Sequence, residues 1–164
     1  MSTQPVGHLD RVRTLATTAR LLFVGGERVG RETVITVYDH HKEKPQATIE
    51  VPAYVAALAA NDEHVFAGCS DGTIRVFEHD NKPTHEIDGA HEGGCTSLAL
   101  RGNDVLSGGA DGSLRLWSAK SGKKKKEWAL SKLALRTVAI DPTGESLAGA
   151  GDDGVIRVIR LASA

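Results

Sequence analysis

At 164 residues, 40% apolar and 25% charged, the chain has the size and composition of one globular domain, not of a disordered or membrane-embedded polymer. Its 20 basic and 21 acidic residues leave a formal net charge of −1, which offers nucleic acid or an anionic membrane no global attraction. No apolar run approaches the ~18 residues of a membrane span, and no basic region followed by an apolar stretch marks a secretory signal.

Taken in chain order, the predicted elements repeat. Thr3-Gln4-Pro5-Val6 reads as a short extended piece, and Pro5 suits an edge. His8 then precedes Val12 by four residues and Leu15 by seven; a strand is expected at Leu21–Val24, a loop at 27–32, a strand over 34–38 and an outer strand at Pro45–Ile49. Val51 stands in the same relation to Val55 and Leu58, His91 to Cys95 and Leu98, and Ser131 to Leu135 and Val138, so four units begin near 8, 51, 91 and 131. The second unit continues with strands at His64–Gly68, 73–77 and His85–Asp88. The third reads as Cys95–Leu100, Asp104–Gly108, Ser113–Ser118 and Lys124–Leu130, and the fourth includes Ser146–Gly149. Aligned on their third strands, Tyr38, Phe77, Trp117 and Ile159 coincide, with a period of about 40 residues. Asp71-Gly72, Asp111-Gly112 and Asp153-Gly154 each precede an alternating apolar run, a hairpin signal predicting positive φ at both turn residues. Helical spacing is sustained nowhere, so the chain is expected to be all-β and a single domain.

These residues resemble the WD40 family of β-propellers. Gly7-His8 and Gly89-Ala90-His91 stand for its Gly-His dipeptide, and 71–77 and 111–117 for its Asp-Gly-x-[Ile/Leu]-Arg-[Val/Leu]-aromatic strand. The resemblance covers essentially the entire chain and implies four four-stranded antiparallel blades. It also implies a buried His–Ser–Asp–Trp network, for which only the third unit has the full set: His91, Ser107, Asp111 and Trp117. The second unit has Val51 and Ala67 in the first two places, and the fourth has Ser131, Gly149 and Ile159, so apolar packing is expected there.

The fourth unit stops after its third strand, while Thr3, Gln4, Pro5 and Val6 occupy an outer-strand position ahead of the first unit. The leftover piece is expected to complete the deficient blade, as WD40 rings are closed. Three closures are compatible: a four-bladed ring within the chain, an eight-bladed ring of two chains exchanging N-terminal strands, or completion by a different protein. Symmetric homo-oligomers being the default assembly, the homodimer is favoured.

No catalytic set is expected. The one recurrent His–Ser–Asp trio is accounted for structurally, and its serine would be buried and bonded. His40-His41 on a strand end point to opposite faces and lack ligand partners, Asp152-Asp153-Gly154 lacks the alternating oxygens of a calcium loop, and the glycine-rich pieces precede strands where a phosphate loop would open a helix. No metal and no cofactor is therefore expected. Lys123-Lys124-Lys125-Lys126 enters an outer strand, where lysines block edge pairing, and nucleic acid is not an expected partner. Cys69 and Cys95 sit at small or apolar repeat positions and are expected to be buried and reduced, which favours a cytoplasmic location. By resemblance, the face built by the loops before strand one and after strand two would bind a protein partner. Asp10, Arg11, Arg28, Arg31, Tyr54, Glu92, Arg136 and Asp152 are expected to project there.

Overall fold

The computed structural model describes residues 9–161 apart from 29, 31 and 43, and every described element is a strand. β1 (Arg11–Thr17), β2 (Leu21–Glu27), β3 (Thr33–Asp39) and β4 (Pro45–Glu50) form the first antiparallel sheet, in chain order. β5 (Val55–Ala60), β6 (His64–Cys69), β7 (Ile74–Glu78) and β8 (Pro83–Ile87) form the second. β9 (Cys95–Arg101), β10 (Asp104–Gly109), β11 (Ser113–Ser118) and β12 (Lys124–Ala129) form the third. Among the described residues the fourth has three strands, β13 (Leu135–Ile140), β14 (Ser146–Gly151) and β15 (Ile156–Arg160). The expected closing strand at Thr3, Gln4, Pro5 and Val6 lies outside the described residues.

The sheets stack face to face. Phe23, Ile35, Val37 and Ile49 of the first sheet share a core with Val55, Leu58, Val65, Ala67 and Phe77 of the second, and Val51 closes it from the connecting loop. Phe66, Ile74, Val76 and Ile87 then meet Cys95, Val105 and Trp117, and Leu106, Leu114 and Leu116 meet Leu135, Val138 and Leu147. Alternate residues of one strand thus serve two different cores, which is what the period of two requires when a sheet is covered on both sides. Val51 and Ala67, standing where the third unit has His91 and Ser107, are part of this apolar packing, as expected. The first and fourth sheets do not pack on each other as consecutive sheets do.

A strand places residues three apart on opposite faces, yet Val12 and Leu15, Val55 and Leu58, Cys95 and Leu98, and Leu135 and Val138 act in pairs. The ladders show why: each inner strand carries a bulge at the intervening position, Arg13, Ala56, Thr96 and Arg136. One extra residue rotates the chain so that both partners of the pair face the same way.

Three expectations are corrected. The second strands run further than predicted, to Glu27, Cys69, Gly109 and Gly151, because their glycines remain in the ladder instead of starting the turn. Glycine is required there by close approach: a Cβ on Gly109 would lie 2.1 Å from Nδ1 of His91. The Asp-Gly turns have positive φ only at Gly72, Gly112 and Gly154, not at the aspartates. The loop is wider than two residues; Gly72 N–H closes it on Cys69 O and Gly112 N–H on Gly109 O, each turn ending in a left-handed glycine. In addition β8 begins at Pro83, earlier than His85, since the first position of an outer strand needs no ladder N–H.

Candidate interaction face

In the third sheet the buried network is built around His91, which is 2% exposed. The Trp117 Nε1–H donates to Ser107 Oγ (2.8 Å), and the serine hydroxyl donates to His91 Nε2 (2.7 Å). Nδ1 faces both Asp111 Oδ1 at 3.0 Å and Arg115 Nη1 at 2.7 Å; with Nε2 accepting from the serine, the proton of the neutral ring is assigned to Nδ1, toward the carboxylate. Burial pushes the imidazole below its ordinary range and outweighs the adjacent Asp111 carboxylate. The Asp111 carboxyl is itself raised by burial, but hydrogen bonds from Ser113, Arg115 and His91 prevail and hold it well below the usual carboxylate range. The serine hydroxyl is spent on the imidazole and the indole and has no exposed surface, which suits a structural trio.

The motif arginine adds a fifth member that the sequence reading did not assign. Arg115 Nη1 donates to Asp111 Oδ2 at 2.6 Å and to the Ala90 carbonyl at 2.8 Å. The same bracket recurs as Asp71–Arg75 (2.8 Å) and Asp153–Arg157 (2.7 Å). In all three units the aspartate also accepts the backbone N–H two residues on, from Thr73, Ser113 or Val155. The aspartate is therefore selected for what its carboxylate ties together, not for its own backbone angle. In the first unit Thr36 takes the arginine position and the bracket is absent.

The strands being antiparallel, the loops before each inner strand and those after each second strand emerge at one end of the sheets. There Asp10, Arg11, Arg28 and Tyr54 converge, with Glu27, Gly30 and Thr33, on a groove of about 670 Å³ between the first two sheets. Arg28 Nη2 donates to Thr48 Oγ1 at 3.2 Å. Arg13, which the sequence reading did not single out, lies over the Tyr54 ring at 5.2 Å and pairs with Glu27 at 3.3 Å. The signal that finds it is its place at the bulge. Arg136 and Asp152 form a two-pronged ion pair with each other on the fourth sheet, at 2.7 and 2.6 Å. Glu92 is exposed and its N–H caps Asp111 at 3.2 Å. Arg31 lies outside the described residues.

The features set aside earlier have ordinary surroundings. Lys124 pairs with Glu127 and Lys125 with Asp104, on the outer strand β12. His40 is exposed and lies 3.3 Å from Thr17 Oγ1. Cys69 and Cys95 are free and buried, and burial pushes the Cys95 thiol up to about 12.

The WD40 family model (WD domain, G-beta repeat) matches residues 32–78 and 81–118, just over half of the chain. The chain belongs to the WD40 family. Similar curated proteins include p21-activated protein kinase-interacting protein 1-like of Xenopus laevis, 30% identical over 66% of this chain and 30% of the relative. Protein groucho of Drosophila melanogaster is 26% identical over 94% of this chain and 23% of its own length. This WD40 chain thus spans under a third of either relative. Among solved structures, the computationally designed Ika4 protein superposes with a TM-score of 0.84 at 22% identity, over 98% of this chain and 100% of that one. The designed Ika8 protein gives 0.81 at 22% identity, over 94% of this chain and 47% of that one. At such identities these two show the fold alone. WD40 domains are characteristically non-catalytic, and among the described residues no three His, Cys, Asp or Glu side chains are grouped to hold a metal ion.

Proposed function

We propose that this single WD40 domain is a protein–protein interaction and scaffold module. Its partner docks on the loop end, where Asp10, Arg11, Arg28, Arg31, Tyr54, Glu92, Arg136 and Asp152 are the contact set. The observation that carries this is the convergence of Asp10, Arg11, Arg28 and Tyr54 on one groove. Arginine and tyrosine are enriched among the side chains that anchor protein interfaces, and Arg28 reaches the Thr48 hydroxyl. Arg136 and Asp152 satisfy each other and contribute less. The test is affinity capture with wild type and with Arg28→Ala/Arg31→Ala, matched for thermal stability. Proteins retained by wild type and lost from the variant support the face; an identical captured set removes these arginines from it.

The second part of the proposal concerns assembly. Two copies form an eight-bladed ring, each lending Thr3-Gln4-Pro5-Val6 as the outer strand beside β15 of the other. The three-stranded fourth sheet favours this, because β15 presents an unpaired ladder edge among the described residues. The two free, buried thiols support placement in the reducing cytoplasm. Deleting residues 1–7 is expected to abolish the dimer and lower the melting temperature. A deletion variant with unchanged mass and stability would refute the exchange.

A further inference from the structure

We infer that the outward face of β15 docks on the outward face of β1 of a second copy of this chain, making a fourth instance of the interface that joins consecutive sheets. This rests on the two-copy reading above but not on exchange of the N-terminal strand.

At each of the three internal junctions, two third-strand residues meet two inner-strand residues of the next sheet. The donors are Ile35 and Val37, Ile74 and Val76, and Leu114 and Leu116, all 6% exposed or less. Of the six receivers, Val55, Leu58, Cys95, Leu135 and Val138 are 8% exposed or less, and Leu98 is partly buried against the second core. In the fourth sheet the donor positions are Ile156 and Val158, at 76% and 61%; in the first sheet the receiver positions are Val12 and Leu15, at 55% and 58%. These are among the largest exposed apolar side chains of the molecule, and they are the two halves of one contact.

A polar pair points the same way. The Leu58 N–H donates across the first junction to Thr14 Oγ1 at 3.2 Å, and the Val138 N–H donates across the third to Ser97 Oγ at 3.1 Å. At the missing junction the corresponding groups are the exposed Thr137 hydroxyl and the Leu15 N–H. Thr137 supplies the acceptor where Ala57, at the second junction, has none. One difference is steric. Ala150 stands where the other sheets have Gly25, Gly68 and Gly108 against the incoming side chains, so the new junction is slightly wider and Ala150→Gly is expected to tighten it.

A second copy is the occupant because the chain leaves both of its own faces open. Each copy supplies one donor and one receiver face, so a twofold pair uses both faces twice and leaves none to grow into a filament.

Leu15→Glu and Ile156→Lys test this, each at a site exposed enough for the single chain to fold. Alone, either variant puts a charge without a partner into both junctions and is expected to weaken the dimer at least ~100-fold, giving 17.4 kDa particles with a wild-type β spectrum. Mixed in equal amounts they are expected to re-form a dimer, because one junction is then wild type and the other apposes Glu with Lys. Mass photometry or sedimentation reads both results. As a second variant pair, Leu15→Cys mixed with Ile156→Cys should cross-link through a disulfide on oxidation. A dimer indifferent to the single substitutions, or a mixture that stays monomeric, overturns the docking and the eight-bladed ring with it, and leaves only a pair of copies joined at another surface. A monomeric wild type overturns that reading itself.

Discussion

Ser107 has no exposed surface and sits between two donors and acceptors that have no other outlet, the His91 ring nitrogen and the Trp117 indole N–H. Ser107→Ala strands both, and is expected to cost about 1–3 kcal/mol for each group left unpaired, read by urea unfolding. His91 makes stability depend on pH. Because burial lowers its folded value, the unfolded chain binds a proton there more readily. The stability contributed by the neutral ring is therefore complete above the unfolded value of ~6.5 and is lost as pH falls below it. Asp111, held below the carboxylate range, adds a further loss below ~4 as the unfolded carboxyl takes up its proton. The drop in melting temperature between pH 7.5 and 5.5 should accordingly be smaller in His91→Gln than in wild type; His85, also lowered by burial, acts equally in both. An unchanged drop would mean that the ring takes up its proton as readily in the folded chain as in the unfolded one. The four network residues were legible because they fall at fixed offsets in a repeat. Arg115 was visible as a motif letter, but its role was not, since a carboxylate partner four residues back on a turn is set by three-dimensional geometry and not by strand alternation.

At the level of the element, the strands and their order could be read from alternation, while the bulges could not. The spacing of three between Val12 and Leu15, repeated in every unit, was present in the sequence, but an ideal strand would put those residues on opposite faces. Only the register shift at Arg13, Ala56, Thr96 and Arg136 reconciles the spacing with a shared face. Glycines misled the strand ends for a related reason. Gly109 reads as turn chemistry, yet it lies in the ladder with no positive φ, held to glycine by the His91 ring behind it. Gly109→Ala is therefore expected to destabilise by more than ~2 kcal/mol, although alanine suits the backbone there. Gly102→Ala, with a φ of +53° and open space around the missing Cβ, should cost only about 1 kcal/mol. Thermal melts of the two variants side by side separate close approach from backbone conformation. Equal losses would show that the contact with His91 is not tight.

On the scale of the whole molecule, four stacked sheets make an arc with two unlike apolar ends. Ile156 and Val158 stand at one end, Val12 and Leu15 at the other. The number of units and the three-stranded last unit were legible from the period. The exposure of the two ends was not, because it depends on which sheets fail to meet. The interaction groove was legible in part. Asp10, Arg11, Arg28 and Tyr54 could be named as loop residues at the right end of the strands, but their convergence, and the Arg13 cation over Tyr54, follow from how the first two sheets splay. In the proposed assembly a second copy completes the stack, and one measurement tests this directly. Sedimentation equilibrium of the 164-residue chain at micromolar concentration is expected to give a single species of twice 17.4 kDa. A species that stays at 17.4 kDa across the concentration range would contradict it.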